Sequence, residues 1–452
     1  MPDSHIPSAS LPLSREAMAV IARRSLELAQ SRGATHAEAE ISAAVGQSVT
    51  VRQGEVETVE YNRDKGLGIT VYFGNRRGNA STSDLSEEAV SRTVDAACAI
   101  ARHTAADEAA GLPDPARLLK GEAPDLSLSH PWKLDIEAAI ELARVTEAAA
   151  LAVDSRITNS EGATVSSNDA DFIFANTLGF LGGFPTSRSS IGVGVVAEED
   201  DAMQRDYWYT SHRDPSRLES AEAVGRKAGE RAVRRIGSRQ VATMEAPVVF
   251  EANVAGSLIG HFVSAASGSS LYRRSSFLLD HLGKPVFAPG VTILEDPLRP
   301  GEMASSYFDA EGVATSARRV VDAGVLTGWF LSSYSARKLG METTGNAGGS
   351  HNLILQPGEH DLEGLLRLMG RGLLVTELLG QGVNSVTGDY SRGAAGFWVE
   401  GGEIQYPVEE VTIAGNLLTM FKGIAACGRD TLIRGSRQTG SILLDRMTIA
   451  GN

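Results

Sequence analysis

A chain of 452 residues, 42% hydrophobic and 22% charged, is long and apolar enough to bury a sizeable core and to divide into two or three domains. Its formal charge of −14 argues against nucleic acid, whose phosphates call for a basic footprint. Two cysteines, Cys98 and Cys427, exclude a disulfide framework and a four-cysteine zinc site.

The opening run MPDSHIPSASLPLSREAM has no apolar h-region, so the expectation is a cytoplasmic protein without a signal peptide. Ser14 is placed to cap a helix whose apolar side carries Met18, Ile21, Ala22, Leu28 and Ala29, ending at Arg32-Gly33. From Ala37 the pattern changes to period 2, with Ala37, Ala39, Ile41 and Ala43 alternating with polar residues. Strands are predicted at 49–59 and 67–73, and a second helix after Ser86 carries Val90, Val94, Ala97 and Ala101 on one side. Cys98 lies among apolar neighbours and reads as packing. Four prolines between 111 and 131 predict a surface connection.

The order then recurs: a helix over 134–153, strands at 164–177, 189–197 and near Tyr207, and a helix opened by a capping box at Ser216 and Glu219. Residues 1–240 therefore read as one α/β domain with a pseudo-duplicated α-β-β-β-α plan. From 241 to 452 the texture is Gly-rich turns between short apolar runs. It predicts a mainly antiparallel β domain with few helices, at 252–267, 361–369 and 417–426. The overall class is α+β. The uncharged stretch 252–272 has the length of a membrane span, but three Gly, five Ser, an Asn and a His make it a buried helix running into a loop.

Most motifs with chemical meaning fail on context. No two of the nine histidines are spaced i, i+4, so a zinc site would have to be assembled from distant residues. The Gly-x-Gly-x-x-Ala run at 192–197 lies inside a strand that leads into Glu198, Glu199, Asp200 and Asp201, which would repel a pyrophosphate. Ser335 and Lys338 fit Ser-x-x-Lys without its companion motifs. Asp309 and Glu311 suit either acid–base work or a turn before Gly312. His351 suits substrate contact or a backbone bond in a tight loop. Asp389 and Arg392 read either as an ion pair ordering a Gly-rich turn or as part of a groove in which arginine holds a carboxylate.

Three long segments carry a resemblance: 334–340 (YSARKLG), 344–349 (TGNAGG) and 387–398 (TGDYSRGAAGFW). They resemble the TldD/PmbA family, and 403–408 with 412–416 fit its PmbA (TldE) branch. The resemblance implies one subunit of a two-component cytosolic zinc metallopeptidase that degrades or processes unfolded peptides. In that family a TldD-type partner carries a His-Glu-x-x-x-His helix and a late cysteine as zinc ligands. Here Glu251 and Gly256 stand where the two histidines belong and Ala252 where the glutamate belongs; the segment 433–440 holds no cysteine. The implied chain has no metal ligands and no catalytic residues of its own, and zinc is expected in the partner. Asn346, His351, Asp389, Tyr390 and Arg392 are the candidate substrate-binding residues. The implied partners are the TldD-type subunit and unfolded peptides, with a homodimer left open and neither nucleic acid nor membrane involved. The alternatives are a metallopeptidase with a non-standard site and a non-proteolytic regulator, the family's older label being modulator of DNA gyrase.

Overall fold

The computed structural model describes residues 10–200 and 202–451. His5, Asp201 and the first half of the segment read for a leader lie outside the described residues.

The amino-terminal part is built on one antiparallel sheet. In chain order it comprises α1 (Arg15–Ser31), β1 (His36–Arg52), β2 (Glu55–Phe73), β3 (Arg76–Thr82) and α2 (Glu87–His103). There follow α3 (Ile136–Leu151), β4 (Ile157–Asn176), the short β5 (Leu181–Gly182), β6 (Pro185–Glu199), β7 (Ala202–His212) and α4 (Ala221–Val233). Ser14 and Ser86 cap α1 and α2 by accepting from Ala17 N and Ala89 N. The strand predicted at 49–59 is instead a hairpin: β1 runs unbroken to Arg52, turns at Gln53-Gly54 with φ of 52° and 78°, and returns as β2. Ser216 falls in a 3-10 turn, and the cap of α4 is Ser220, accepting from Ala223 N.

The sheet order is β3-β2-β1-β4-β6-β7, so the two repeats meet where β1 and β4 pair from Glu38↔Asn176 to Val51↔Ala163. Along β1 the buried residues Ala37, Ala39, Ile41, Ala43, Val45, Val49 and Val51 are all odd-numbered, hence on one face. The first four join a core under α1 and α2, and the last two join a second core under α3 and α4. Two helix pairs thus lie side by side on one face of long strands. In α4, Gly225 and Gly229 bring the backbone onto α3: a Cβ on either would reach the carbonyl oxygens of Thr146 (2.1 Å) and Ala150 (2.6 Å).

The carboxy-terminal part comprises β8 (Met244–Phe250), α5 (Ala252–Ala265), α6 (Gly268–Tyr272), β9 (Ile293–Glu295), β10 (Arg318–Asp322), β11 (Val325–Leu326), α7 (Ser333–Leu339) and β12 (Leu353–Leu355). It continues with α8 (Leu362–Met369), β13 (Gly372–Leu379), β14 (Asp389–Glu400), β15 (Glu403–Asn416), α9 (Leu417–Lys422), β16 (Ile424–Cys427), β17 (Arg437–Gln438) and β18 (Ile442–Ala450). The helix predicted over 417–426 ends at Lys422, because Ile424–Cys427 pairs with β18 instead. The main sheet runs β15-β14-β13-β8-β18-β16, and a further β15–β18 pairing closes five of these strands into a ring. All of its pairings are antiparallel except β13–β8.

Central strands of this sheet are buried on both faces, which is why they read as unbroken apolar runs. Val248, Phe250, Leu373 and Val375 face the large core that holds Leu258, Ile259 and Phe262 of α5, while Val249 and Leu374 face a smaller one under α8. A second sheet, β11-β10-β9-β12-β17, flanks the main one. The two parts meet through an aromatic cluster in which Phe308 lies 5.1 Å from Phe180 and 5.8 Å from Phe184. No helix among the described residues is long and apolar enough to cross a membrane.

Candidate functional site

The five candidate binding residues do not converge. Asn346 and His351 belong to a closed network around Glu295, whose side chain is 2% exposed. One carboxylate oxygen of Glu295 accepts from Asn346 Nδ2 (2.7 Å), His351 N (2.9 Å) and His351 Nδ1 (3.2 Å); the other accepts from Arg318 Nε (2.8 Å). Burial alone would raise the Glu295 carboxyl, but His351 and Arg318 together outweigh it and hold it below the usual carboxylate range. Both candidates are buried in this network, which packs a loop, and lie apart from the other three.

Asp389 sits exposed at the start of β14 and accepts from Thr387 Oγ1 (2.6 Å) and Asn416 Nδ2 (3.3 Å). The ion pair considered with Arg392 does not form, because residues three apart in a strand point to opposite faces. Tyr390 is buried against His261 of α5, with its hydroxyl unpartnered; burial pushes its pKa up to about 12, against the pull of Arg392. Of the five, only Arg392 lines a concavity shared by the two parts of the chain.

That concavity is an open cleft of about 520 Å³ between the two parts of the chain. Four separate segments build it: β7 with Asp206, Tyr207 and Tyr209; the start of α5 with Asn253, Gly256 and Ser257; the facing ends of β13 and β14 with Glu377 and Arg392; and residues 434–437. It lies at the two places named above as the counterparts of a metal helix and a late cysteine. Sequence reading missed Arg434 and Arg437, although the segment 433–440 was inspected for a cysteine. The signal available there was two arginines flanking Gly435-Ser436.

A buried ion network forms one wall. Arg231 of α4, with a side chain 5% exposed, bonds Asp206 Oδ1 (3.1 Å) and Glu251 Oε2 (2.9 Å). Arg235 pairs with Glu377 and lies 3.8 Å from Asp206. Glu251 is at the N-cap of α5, yet its side chain makes no cap bond. The carboxylate has turned to α4, and Ser441 Oγ accepts from Ala252 N in its place at 3.0 Å. Glu251, which the resemblance sets at a histidine position, therefore ties the two parts of the chain together.

The rest of the lining carries three arginines with no carboxylate partner among the described residues. Arg434 lies over the rings of Trp208 (3.9 Å) and Tyr209 (4.1 Å), and burial pulls its guanidinium below the ordinary arginine value. Arg437 extends along α5 where Gly260 leaves room, since a Cβ there would come within 2.8 Å of Nη1. His261, half-buried and close to Arg392 and Arg437, is held below its usual pKa by burial first and by those two charges second.

Family models match three consecutive segments of the chain: residues 37–101 match domain 1 of the PmbA/TldA metallopeptidases, 129–236 the central domain and 243–451 the C-terminal domain. The chain belongs to this PmbA/TldD metallopeptidase family. It is 50% identical over 426 residues, 94% of each chain, to "Metalloprotease PmbA" of Escherichia coli O157:H7. It is 48% identical over 428 residues, again 94% of each, to the PmbA homolog of Haemophilus influenzae. A solved structure from Bacteroides thetaiotaomicron, described as a candidate modulator of DNA gyrase, superposes with a TM-score of 0.92 at 28% identity, covering 97% of this chain and 100% of that one. TldE from Thermococcus kodakarensis shares the fold, with a TM-score of 0.83 at 19% identity over 95% of this chain and 100% of that one.

The family implies a metal, and the residues of this cleft do not fit one. No histidine or cysteine lines it, its carboxylates Asp206 and Glu377 are already paired with arginines, and three further arginines face the space a cation would need. Among the described residues no group of three or more His, Cys, Asp or Glu side chains is arranged to hold a metal ion.

Proposed function

We propose that this chain is the non-metal subunit of a two-component, cytoplasmic TldD/PmbA-type metallopeptidase, in which a TldD-type partner supplies zinc and this chain helps to enclose and hold unfolded peptide. The observation that carries the reading is the fate of the first metal-ligand position: Glu251 is bonded to Arg231, and arginines occupy the surrounding cleft. An unfolded chain needs a grip that ignores sequence, and backbone bonding to a free strand edge provides one. β7 is the outermost strand of its sheet, and its Tyr207 and Tyr209 line the cleft.

The test is reconstitution. The chain is purified alone and mixed with a TldD-type protein bearing the His-Glu-x-x-x-His helix, and the mass in solution and the cleavage of an unfolded protein are measured on each. The proposal expects no cleavage by this chain alone and cleavage by a complex containing both chains. A partner that cleaves equally well without this chain, with no shared complex, contradicts it.

A further inference from the structure

We infer that the cleft between β7, α5 and residues 434–437 is a carboxylate-binding site, and that the peptides this chain holds are engaged through a carboxylate. The inference rests on the reading above for the word peptide and on the cleft alone for the word carboxylate.

Arg392, Arg434 and Arg437 line one cleft, and none of the three forms an ion pair among the described residues. Arg392 and Arg434 are half-buried and Arg437 is exposed beside them, whereas the buried Arg231 and Arg235 are paired, as buried arginines ordinarily are. Unpartnered polar atoms also gather here. Of twelve buried side-chain nitrogens and oxygens without a hydrogen-bond partner among the described residues, five belong to Asn253, Thr376, Arg392 and Arg434 in this lining. A buried group left unpaired costs free energy unless something completes it, and such groups concentrate where a ligand supplies the missing partner.

The missing partner has negative charge and a planar pair of acceptors, which the guanidinium fork matches. The carboxylates in the lining limit how much charge the ligand carries. Asp206 and Glu377 face the same space, so a polyphosphate or a nucleic-acid strand would run past two carboxylates. A peptide places one carboxylate against the arginines and its neutral amide N–H groups against the carboxylates. Tyr207 and Tyr209, with ring centroids 6.4 Å apart and 16° between planes, offer flat apolar surface for its side chains. A volume of about 520 Å³ is within the range of ligand sites.

The carboxylate has two sources, a chain terminus or an acidic side chain, and four labelled unstructured hexapeptides separate them. They carry Glu or Gln at the penultimate position and a free or amidated C-terminus, and their binding to the purified chain alone is followed by fluorescence anisotropy at low salt. The Gln, amidated peptide is expected to bind at least about tenfold more weakly than the best of the other three. The peptide that keeps its affinity, Gln with a free terminus or Glu with an amide, identifies the source. In an Arg392→Gln/Arg437→Gln chain the four affinities become equal. If that double variant does not fold, as judged by near-ultraviolet circular dichroism, Arg392→Gln alone carries the comparison.

Equal binding of all four peptides by the wild-type chain, no binding at millimolar concentration, or a preference that survives the substitutions overturns the inference. So does displacement of the peptide by a DNA oligonucleotide at lower concentration than by unlabelled peptide. Because the readout needs neither partner nor proteolysis, failure of the subunit reading leaves this result standing, and the reverse also holds.

Discussion

Two clusters of arginine and carboxylate, one within the carboxy-terminal part and one at its junction with the amino-terminal part, differ in closure. Around Glu295 every charged group has a partner: Arg318, Asn346 and His351 saturate one carboxylate that water hardly reaches. In the cleft, Arg231 and Arg235 are likewise paired, but Arg392, Arg434 and Arg437 are left over. The first cluster spends its hydrogen-bonding capacity on holding a loop, so it has none left for a ligand. The second leaves capacity unspent, at the position where a catalytic relative would hold its metal. Residue type alone does not separate structure from function here; whether each donor has found an acceptor does.

The largest effect is expected from breaking the paired wall. Arg231→Ala strands the carboxylates of Asp206 and Glu251 in a largely buried site and should cost about 3–5 kcal/mol, read as a fall in urea midpoint. A shift equivalent to less than about 1 kcal/mol would mean that the wall is not a buried network. Glu295→Gln should cost about 3 kcal/mol by unpairing Arg318, while leaving the peptide-binding preference of the cleft unchanged. If it abolished that preference, the two clusters would not be independent.

A smaller, pH-dependent effect belongs to Asp309, whose carboxylate accepts from Ala347 N next to Asn346 and from the backbone N–H groups of Glu311 and Val313. Burial outweighs those bonds and raises its pKa to about 6 from an ordinary value of 3.8. A carboxyl raised on folding contributes its full stability below the unfolded value and loses it as pH rises through the folded one. Relative to Asp309→Asn, the wild-type chain should therefore lose on the order of 1–3 kcal/mol between about pH 4 and pH 6. A stability difference that does not change with pH across that window refutes the assignment. The smallest effect is expected from Arg392→Gln, which removes no ion pair and should change stability by less than about 1 kcal/mol. A loss of about 3 kcal/mol there would place Arg392 with the closed cluster.

The amino-terminal part was largely legible because its rules are local. Ser14 and Ser86 are caps in the structure as in the sequence, and the odd-numbered alternation of β1 continues for its whole length. Two misreadings there were of boundaries: the strand range 49–59 was drawn across the turn at Gln53-Gly54, and a cap shifts from Ser216 to Ser220. In the carboxy-terminal part, strands buried on both faces lose period 2, and Ile424–Cys427 continues the apolar texture of α9 although it pairs with β18. The cleft was the least legible feature. Arg392 was visible in a distinctive motif, but Arg434 acquires its meaning only when the fold brings 434–437 against β7 and α5. Asn346 and His351 stand in an equally distinctive Gly-rich motif, yet that motif builds the closed network.

The cleft between β7, α5 and residues 434–437 is lined by arginines where the resemblance sets a metal helix. The most direct test is native mass spectrometry of the purified chain after incubation with excess zinc and desalting. The account predicts no zinc retained. One equivalent held per chain, and lost on Glu251→Ala, would contradict it.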